Sequence, residues 1–408
     1  MNLGFTEEQE ELRRSVRRFL ADKSPESEVR RLMETEAGYD PAVWAQMASQ
    51  LGLQALAIPE EYGGSGFSFV ELVVVLEEMG RVLLCAPFFS SVVLGASALL
   101  SCGDESLKKE LLPGVASGST LVTLALTEDS GRWDAGGVEL VATPSGSGGG
   151  WVLDGHKSFV LDGHLASRIL VVARVRTSGA AGESGAAGGS GTGGGSDASG
   201  ASGAGGVSLF VVEGSAPGLA RAVQPTMDQT RKQARLVFSS VPARMVGTAG
   251  DGWPAVSRAL DLAAVALAAE QVGGAQRVLD MSVEYAKVRV QFGRPIGSFQ
   301  AVKHRCADML MAVESAKSAA YYAAWTAASA SAEGAEGAEE LPVMASLAKA
   351  YCSEAYFRAA ADNIQIHGGI GFTWDHPAHL YFKRAKSSEL LFGDPAYHRE
   401  LLAQRIGL

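Results

Sequence analysis

The residue types that most often do chemistry in proteins, cysteine and histidine, are scattered along this chain. The four cysteines form no CxxC pair and no spacing typical of a metal site: Cys85, Cys102, Cys306 and Cys352. We therefore expect buried thiols in a reducing compartment, with the cytoplasm as the default location. His304 and His367 have no second ligand at metal spacing, so the sequence predicts no metal site.

One glycine pattern matches the dinucleotide-binding fingerprint, Gly189-x-Gly191-x-x-Gly194. It lies inside a segment, residues 178–206, that consists only of Gly, Ala, Ser, Thr, Asp and Glu. The fingerprint requires a strand before it and a helix after it, and neither pattern is present. We interpret the match as accidental and the segment as a flexible excursion between two strands.

Composition excludes several classes of function. The net charge of −10 and a pI near 5.3 argue against nucleic-acid binding, which needs a basic surface. No stretch offers the ~18 consecutive apolar residues of a membrane span. The N-terminus, "MNLGFTEEQEELRRSVRRFL", alternates charged and apolar residues at helical spacing, so we expect neither a signal peptide nor an anchor.

The elements that must position any site fall into three regions, which together indicate an α+β fold. Residues 1–120 have helical periodicity, with Thr6 as the predicted N-cap of the first helix. Residues 121–245 contain short β-branched segments bounded by Gly, Asp or Pro, which predict a β domain. Residues 246–408 return to long, alanine-rich helical patterns suited to close helix packing.

Four phrases in this helix–β–helix order resemble the acyl-CoA dehydrogenase family over nearly the whole chain: "IPEEYGGSG", "LDGHKSFVLDG", "RVQFGRPIGSFQAVKHRCADM" and "IQIHGGIGFT". The resemblance implies an N-terminal helical domain, a middle β-barrel-like domain and a C-terminal four-helix bundle. It also implies α,β-dehydrogenation of an acyl-CoA thioester. In this family a carboxylate removes the α-proton, FAD accepts the β-hydride, and electron-transfer flavoprotein reoxidises the flavin.

The resemblance implies a set of cofactor-binding residues. The FAD pyrophosphate is a dianion that needs cations and close backbone N–H groups. Arg289 would supply charge, Gln300 and Gln365 amide hydrogen bonds, and the glycine pair a close backbone approach. In the family this group serves the FAD held by a neighbouring subunit, while Thr127 belongs to the chain's own flavin site. The implied residues are Arg289, Phe292, Gln300, Gln365, Gly368, Gly369 and Thr127.

This sequence departs from the family pattern on the face that would hold its own flavin. After Thr127 and Glu128, Arg132 and Trp133 stand where the family has a small Gly-Ser pair. The next motif normally presents Trp-Ile-Thr beside the isoalloxazine ring and here reads "FVL", starting at Phe159. We expect both changes to weaken flavin binding by this chain.

The catalytic carboxylate is absent from both of its known positions. The majority of the family places it where Phe392 stands, and some relatives place it where Ala263 stands. Ala264 also replaces an arginine that many relatives keep near CoA. Loss of a positioned base forfeits roughly 10²–10⁴-fold in rate. Substitute bases are conceivable, and the candidates are Glu270, Asp394 and Glu389; for each we also weighed an ordinary structural role.

Three hypotheses follow for the function. In the first, the chain is a subunit of a heteromeric FAD-dependent acyl-CoA dehydrogenase, and it completes the flavin site of a homologous subunit that keeps its base. Four chains packed through the C-terminal bundle would fit family precedent, which includes actinobacterial enzymes that shorten steroid side chains. In the second, the chain is a self-sufficient homomeric dehydrogenase with a relocated base, Glu270 or Asp394. In the third, it is a non-catalytic structural homologue.

Overall fold

The N-terminal region is helical, as predicted. The computed structural model describes residues 4–146, 150–176, 206–330 and 337–408. The Thr6 hydroxyl accepts from the Gln9 backbone N–H and the Gln9 side chain accepts from the Thr6 N–H, a capping box that confirms the predicted N-cap. A π-helical segment, Phe89–Gly95, precedes the fifth helix. The helices are α1 (Glu7–Lys23), α2 (Glu26–Met33), α3 (Pro41–Leu51), α4 (Phe69–Arg81), α5 (Ala96–Ser101) and α6 (Glu105–Ala116).

A β domain follows, and the seven strands described for it join in one sheet that curls back on itself. Strand β4 pairs in parallel with β1 and β2 and antiparallel with β5, while β7 pairs with β3, β5 and β6. This ring of pairings makes the domain barrel-like. The strands are β1 (Val122–Ala125), β2 (Val141–Ser145), β3 (Gly150–Leu161), β4 (Arg168–Val175), β5 (Val207–Glu213), β6 (Leu219–Val223) and β7 (Gln233–Val246). The accidental glycine fingerprint lies outside the described residues.

Long helices form the C-terminal region. α7 to α10 form the bundle, α11 packs against α9, and a two-stranded hairpin links α7 to α8. The elements are α7 (Trp253–Val288), β8 (Val290–Gln291), β9 (Arg294–Pro295), α8 (Gln300–Ala330), α9 (Glu340–His367), α10 (Ala378–Leu390) and α11 (Pro395–Arg405). Among the residues described, no helix is long and apolar enough to cross a membrane.

Two glycines let α4 approach α7 closely and so join the N-terminal region to the bundle. A Cβ atom at Gly273 would lie 1.8 Å from the Glu77 carbonyl oxygen, and one at Gly80 would lie 2.0 Å from the Glu270 carbonyl oxygen. Any side chain at either position would therefore force the two backbones apart. This contact fixes the middle of α7, including Glu270, against the first region.

Candidate active site and flavin-binding face

One end of the bundle gathers the residues expected to serve a neighbour's flavin. Arg289 caps the end of α7, Phe292 lies at the tip of the β8–β9 hairpin, and Gln300 opens α8. Gln365 is in the last turn of α9, and Gly368 and Gly369 follow directly. All six residues are exposed, and the Phe292 side chain reaches 91% exposure. We call these six residues the flavin-binding face.

Contacts between the helix ends hold this face together. The rings of Tyr285 in α7 and His367 in α9 stack with centroids 4.3 Å apart. Arg305 of α8 forms an ion pair with Asp362 of α9. The Arg289 carbonyl accepts from the Ile296 N–H at 2.8 Å, which closes the hairpin onto the end of α7. The face is therefore built from three helices that are mutually tied.

The chemistry of the face suits an anionic ligand from outside the chain. Within the described residues the Arg289 side chain has no hydrogen-bond or ion-pair partner, so its charge is free to meet a phosphate. Gly368 has a φ of 66°, which favours glycine, and Cβ atoms at Gly368 and Gly369 would meet nothing within 4 Å. An exposed cation, amide side chains and open backbone fit the donor set that an FAD pyrophosphate requires.

Of His304 and His367, which lie near this face, His367 is packed in the interior, whereas His304 is exposed. His367 is buried, and its Nδ1 lies 2.8 Å from the Asn363 carbonyl oxygen. Burial lowers the pKa of His367 below its usual value, which keeps the ring neutral. His304 lies 3.0 Å from the Gln300 amide. No group of His, Cys, Asp and Glu side chains in the described part of the chain could hold a metal ion.

Apart from this face, a large groove lies between the β domain and the α10–α11 turn. This groove has a volume of about 800 Å³, and Thr127, Trp133, Phe159 and Asp394 are among its lining residues. The Thr127 hydroxyl donates to the Ser158 carbonyl at 2.6 Å. A register shift in β3 places Phe159 outside the ladder with φ of 60°, and its side chain is 41% exposed. By the resemblance, this groove corresponds to the chain's own flavin site.

Apolar side chains pack against Trp133, a residue of the groove lining, at the position where the family keeps its base. Phe392 is 4% exposed, and its ring stacks with Phe89 at 5.8 Å and meets Trp133 edge-on at 5.2 Å. Ala263 and Ala264 are also buried, at 0% and 1% exposure. Neither known location of the base therefore holds a group that could accept a proton.

Glu270 is a member of a buried ionic cluster that joins the β domain to the C-terminal bundle. Its carboxylate accepts hydrogen bonds from Arg231, in the loop between β6 and β7, and from Arg384 of α10 at 2.9 Å. Arg384 also donates to Asp228 at 2.9 Å. Although burial opposes its charge, the neighbouring Asp228 and Glu270 raise the pKa of Arg384. The four side chains form a neutral set of two cations and two anions.

This environment disfavours Glu270 as a base. The Glu270 carboxylate already accepts hydrogen bonds from two guanidinium groups, and protonating it would remove one of the two anions that balance these buried cations. Of the two roles considered for Glu270, a catalytic base or a buried carboxylate paired with a cation, the structure supports the second.

Asp394 and Glu389, the remaining candidate bases, also have structural roles. Asp394 is the N-cap of α11, where its side chain accepts from the Tyr397 N–H at 2.8 Å. Its position on the groove keeps it within reach of a bound molecule. Glu389 is only partly buried and pairs with Lys386 at 3.0 Å. The structure brings neither of them to the position of Phe392.

Sequence reasoning missed the residues around Phe392. Lys349 donates to the Gly393 carbonyl at 2.9 Å, and the Phe392 carbonyl accepts from His398 Nε2 at 3.0 Å. Phe89 and Arg231 also went unnoticed, although each lies within 6 Å of another site residue. A lysine inside an alanine-rich helix was the one visible signal, since such a group must find acceptors when it is buried.

Comparison with known proteins agrees with this architecture. Residues 6–119 match the family model for the acyl-CoA dehydrogenase N-terminal domain, and residues 250–407 match that for the C-terminal domain. The chain belongs to the acyl-CoA dehydrogenase family. Members of this family are FAD-binding flavoproteins. The expected fold and the resemblance stated from the sequence are thereby confirmed.

Individual relatives span the full length of the chain. The acyl-CoA dehydrogenase IpdE2 of Mycolicibacterium smegmatis is 33% identical over 391 residues, which cover 96% of each chain. Butyryl-CoA dehydrogenase from Megasphaera elsdenii is 25% identical, with a TM-score of 0.85 and full coverage of both chains. A chain of the ChsE4–ChsE5 complex from Mycobacterium tuberculosis is 28% identical, with a TM-score of 0.82, and covers 100% of this chain and 99% of its own.

Proposed function

We propose that this acyl-CoA dehydrogenase homologue is a subunit of a heteromeric, FAD-dependent enzyme, and that it completes the flavin site of a homologous catalytic subunit. One observation is the main support. The exposed flavin-binding face keeps Arg289, whose side chain has no partner among the described residues, whereas the base position of the same chain is filled by the buried ring of Phe392. The half of the machinery that serves a neighbour is retained, and the half that serves this chain is lost.

The similarity to a chain of the ChsE4–ChsE5 complex supports the heteromer, since that complex contains two different subunits. When bound, FAD would supply acceptance of the β-hydride from the thioester. On this chain, Arg289 would bind the pyrophosphate, Gln300 and Gln365 would donate amide hydrogen bonds, and the glycine pair would allow close approach. The partner would supply the base and the groups that touch the isoalloxazine ring.

The substrate in this proposal is an acyl-CoA thioester, and electron-transfer flavoprotein reoxidises the flavin. A bulky acyl group, such as a steroid side chain, is compatible with such an assembly. If half of the acyl sites bind no substrate, the space they leave can accommodate a large group at the remaining sites. The cytoplasm is the compartment that the scattered cysteines favour; the structure describes all four as free thiols.

A second candidate is a self-sufficient homomer in which Asp394 is the base. The observation in its favour is that Asp394 lines the 800 Å³ groove. Against it, the carboxylate is already used as a helix cap and lies beyond the Phe392 position. A non-catalytic structural homologue, the third hypothesis, would have no need of the exposed Arg289.

The proposal is tested by replacing Arg289 with alanine in a complex co-expressed with a homologous acyl-CoA dehydrogenase subunit that keeps its catalytic carboxylate. Losing one charge-assisted hydrogen bond to phosphate removes ~1.5–3 kcal/mol, so the dissociation constant of FAD should rise about 10- to 100-fold. The matched control is Arg399→Ala, an exposed arginine of α11 that pairs with Glu354 away from the face. Unchanged FAD affinity in the Arg289 variant would overturn the proposed role of the face.

A further inference from the structure

We propose that Phe89 and Trp133, together with Phe392, form an aromatic plug that closes this chain's own acyl site. The inference rests on the proposed function, because it explains how a subunit that has lost its base also excludes substrate from the site that the base once served. It assigns a specificity role to two residues that lie far from Phe392 in sequence.

The plug is assembled from all three regions of the molecule. Phe89 opens the π-helical segment before α5, Trp133 lies in the loop after β1, and Phe392 lies in the turn between α10 and α11. The Phe89 and Phe392 rings are nearly parallel, with an interplanar angle of 23°, and Trp133 meets Phe392 at 72°. Stacked and edge-to-face arrangements at these distances are attractive beyond the area they bury.

Buried charges and hydrogen bonds keep the plug in place. The Arg231 guanidinium lies 5.0 Å from the centre of the Phe89 ring, and Arg231 is itself held by Glu270. Cations close to an aromatic ring are attracted to it more strongly when both are out of water. On the other side, His398 holds the Phe392 carbonyl at 3.0 Å and so fixes the backbone from which the ring projects.

The arrangement implies that losing the base was only one part of closing the site. Phe392→Glu alone would restore a carboxylate but would leave Phe89 and Trp133 in the space above it. A thioester could enter only after those rings are removed. Rings whose centroids lie within 6 Å of one another leave no room for an alkyl chain between them. The plug therefore predicts which substitutions reopen the site.

The test uses the co-expressed heteromer and S-octyl-coenzyme A as a probe. This thioether lacks the thioester carbonyl that makes the α-proton acidic, so the enzyme can bind it but cannot dehydrogenate it. Calorimetric titration gives the number of probe molecules bound per heterodimer. Relative to the unsubstituted complex, Phe89→Ala/Trp133→Ala should bind one additional probe per heterodimer. Phe89→Leu/Trp133→Leu, which leaves a smaller cavity, provides the same comparison if the first pair folds poorly. The control Phe357→Leu alters a ring that packs on Phe382 instead of the plug and should leave the number unchanged.

An unchanged number of bound probes in both folded plug variants would overturn the inference. So would two probes per heterodimer in the unsubstituted complex, since the second site would then already be open. Failure of the proposed function can be distinguished from failure of this inference. It would appear as a flavin content of one FAD per chain, and not as a change in the number of S-octyl-coenzyme A molecules bound.

Discussion

Phe392 is the residue that stands where most of the family has its catalytic carboxylate. Its φ of 63° lies in the left-handed region, which is costly for a bulky residue, and Gly393 follows with φ of 105°. A Cβ atom at Gly393 would lie 2.2 Å from a Tyr397 ring carbon. The turn therefore holds Phe392 in a costly conformation, and its aromatic ring packs inward at the position where the resemblance places the family's carboxylate.

Asp394 offers a prediction at the same scale. Because its side chain caps α11, Asp394→Ala should lower the free energy of unfolding by ~1 kcal/mol, whereas Asp394→Asn, which keeps the capping oxygen, should be close to neutral. Both variants should leave the dehydrogenation rate of the heteromer within about twofold, because the partner supplies the base. Chemical denaturation and a steady-state rate assay measure the two quantities. A folded Asp394→Asn protein with its turnover abolished would instead identify Asp394 as a base.

The α10–α11 turn is held by a lysine whose amino group contacts no carboxylate within the described part of the chain. The Lys349 Nζ donates to Ser353 Oγ and to the carbonyls of Glu389 and Gly393, at 2.9–3.0 Å. Burial lowers the pKa of Lys349 to about 7. The same turn receives support from His398, whose pKa burial lowers to about 3. Above about pH 7 the neutral Lys349 amine keeps two N–H groups for the two carbonyls, and neutral His398 donates to the same turn.

This element predicts a pH dependence of stability. Between about pH 7 and 10.5 the unfolded chain keeps a proton on Lys349 that the folded chain has released, so stability should rise with pH across that window. The slope from one such group is at most ~1.4 kcal/mol per pH unit. Lys349→Met should reduce the slope of the unfolding free energy against pH by that amount, as measured by denaturation at each pH. Equal slopes for both proteins would show that Lys349 stays charged when folded. The difference between the two proteins separates Lys349 from Lys157, whose pKa burial lowers to about 8.

Periodicity in the sequence was enough to predict most elements, and the exceptions have physical reasons. The Thr6 cap and the five strands with buried, β-branched residues were predictable because local pattern and burial agree. Strands β2 and β6 cannot be recognised from the sequence in this way. β2 contains Pro144 and ends exposed, and the residues of β6 are exposed or only partly buried, so neither shows a clean apolar alternation.

At the candidate site, the sequence indicated the flavin-binding face but not the residues that surround Phe392. The face comes from contiguous motifs, so its members could be named before their positions were known. The ionic cluster joins Asp228 to Arg384, which lie 156 positions apart in the sequence. The plug joins Phe89 to Phe392, which lie 303 positions apart. Pairings of that range depend on how the three regions dock, which periodicity does not contain.

The molecule as a whole has an exposed face at the bundle end, which the proposal assigns to a neighbouring subunit, and a packed interior where the three regions meet. The ionic cluster of Arg231, Glu270, Arg384 and Asp228 and the plug both lie where the three regions meet. The exposed Phe292 and Arg289 lie at the bundle end, where docking of a second subunit would bury them. This division is what a supporting subunit of a flavoenzyme requires.

The central claim is tested most directly by the flavin content of the chain, measured from visible absorbance after purification alone and after co-expression with its homologous subunit. We predict close to no FAD for the chain alone and about one FAD per two chains in the complex, because only the partner supplies a sound flavin-holding β domain. One FAD per chain in the protein purified alone would contradict the account and would make this chain a self-sufficient dehydrogenase.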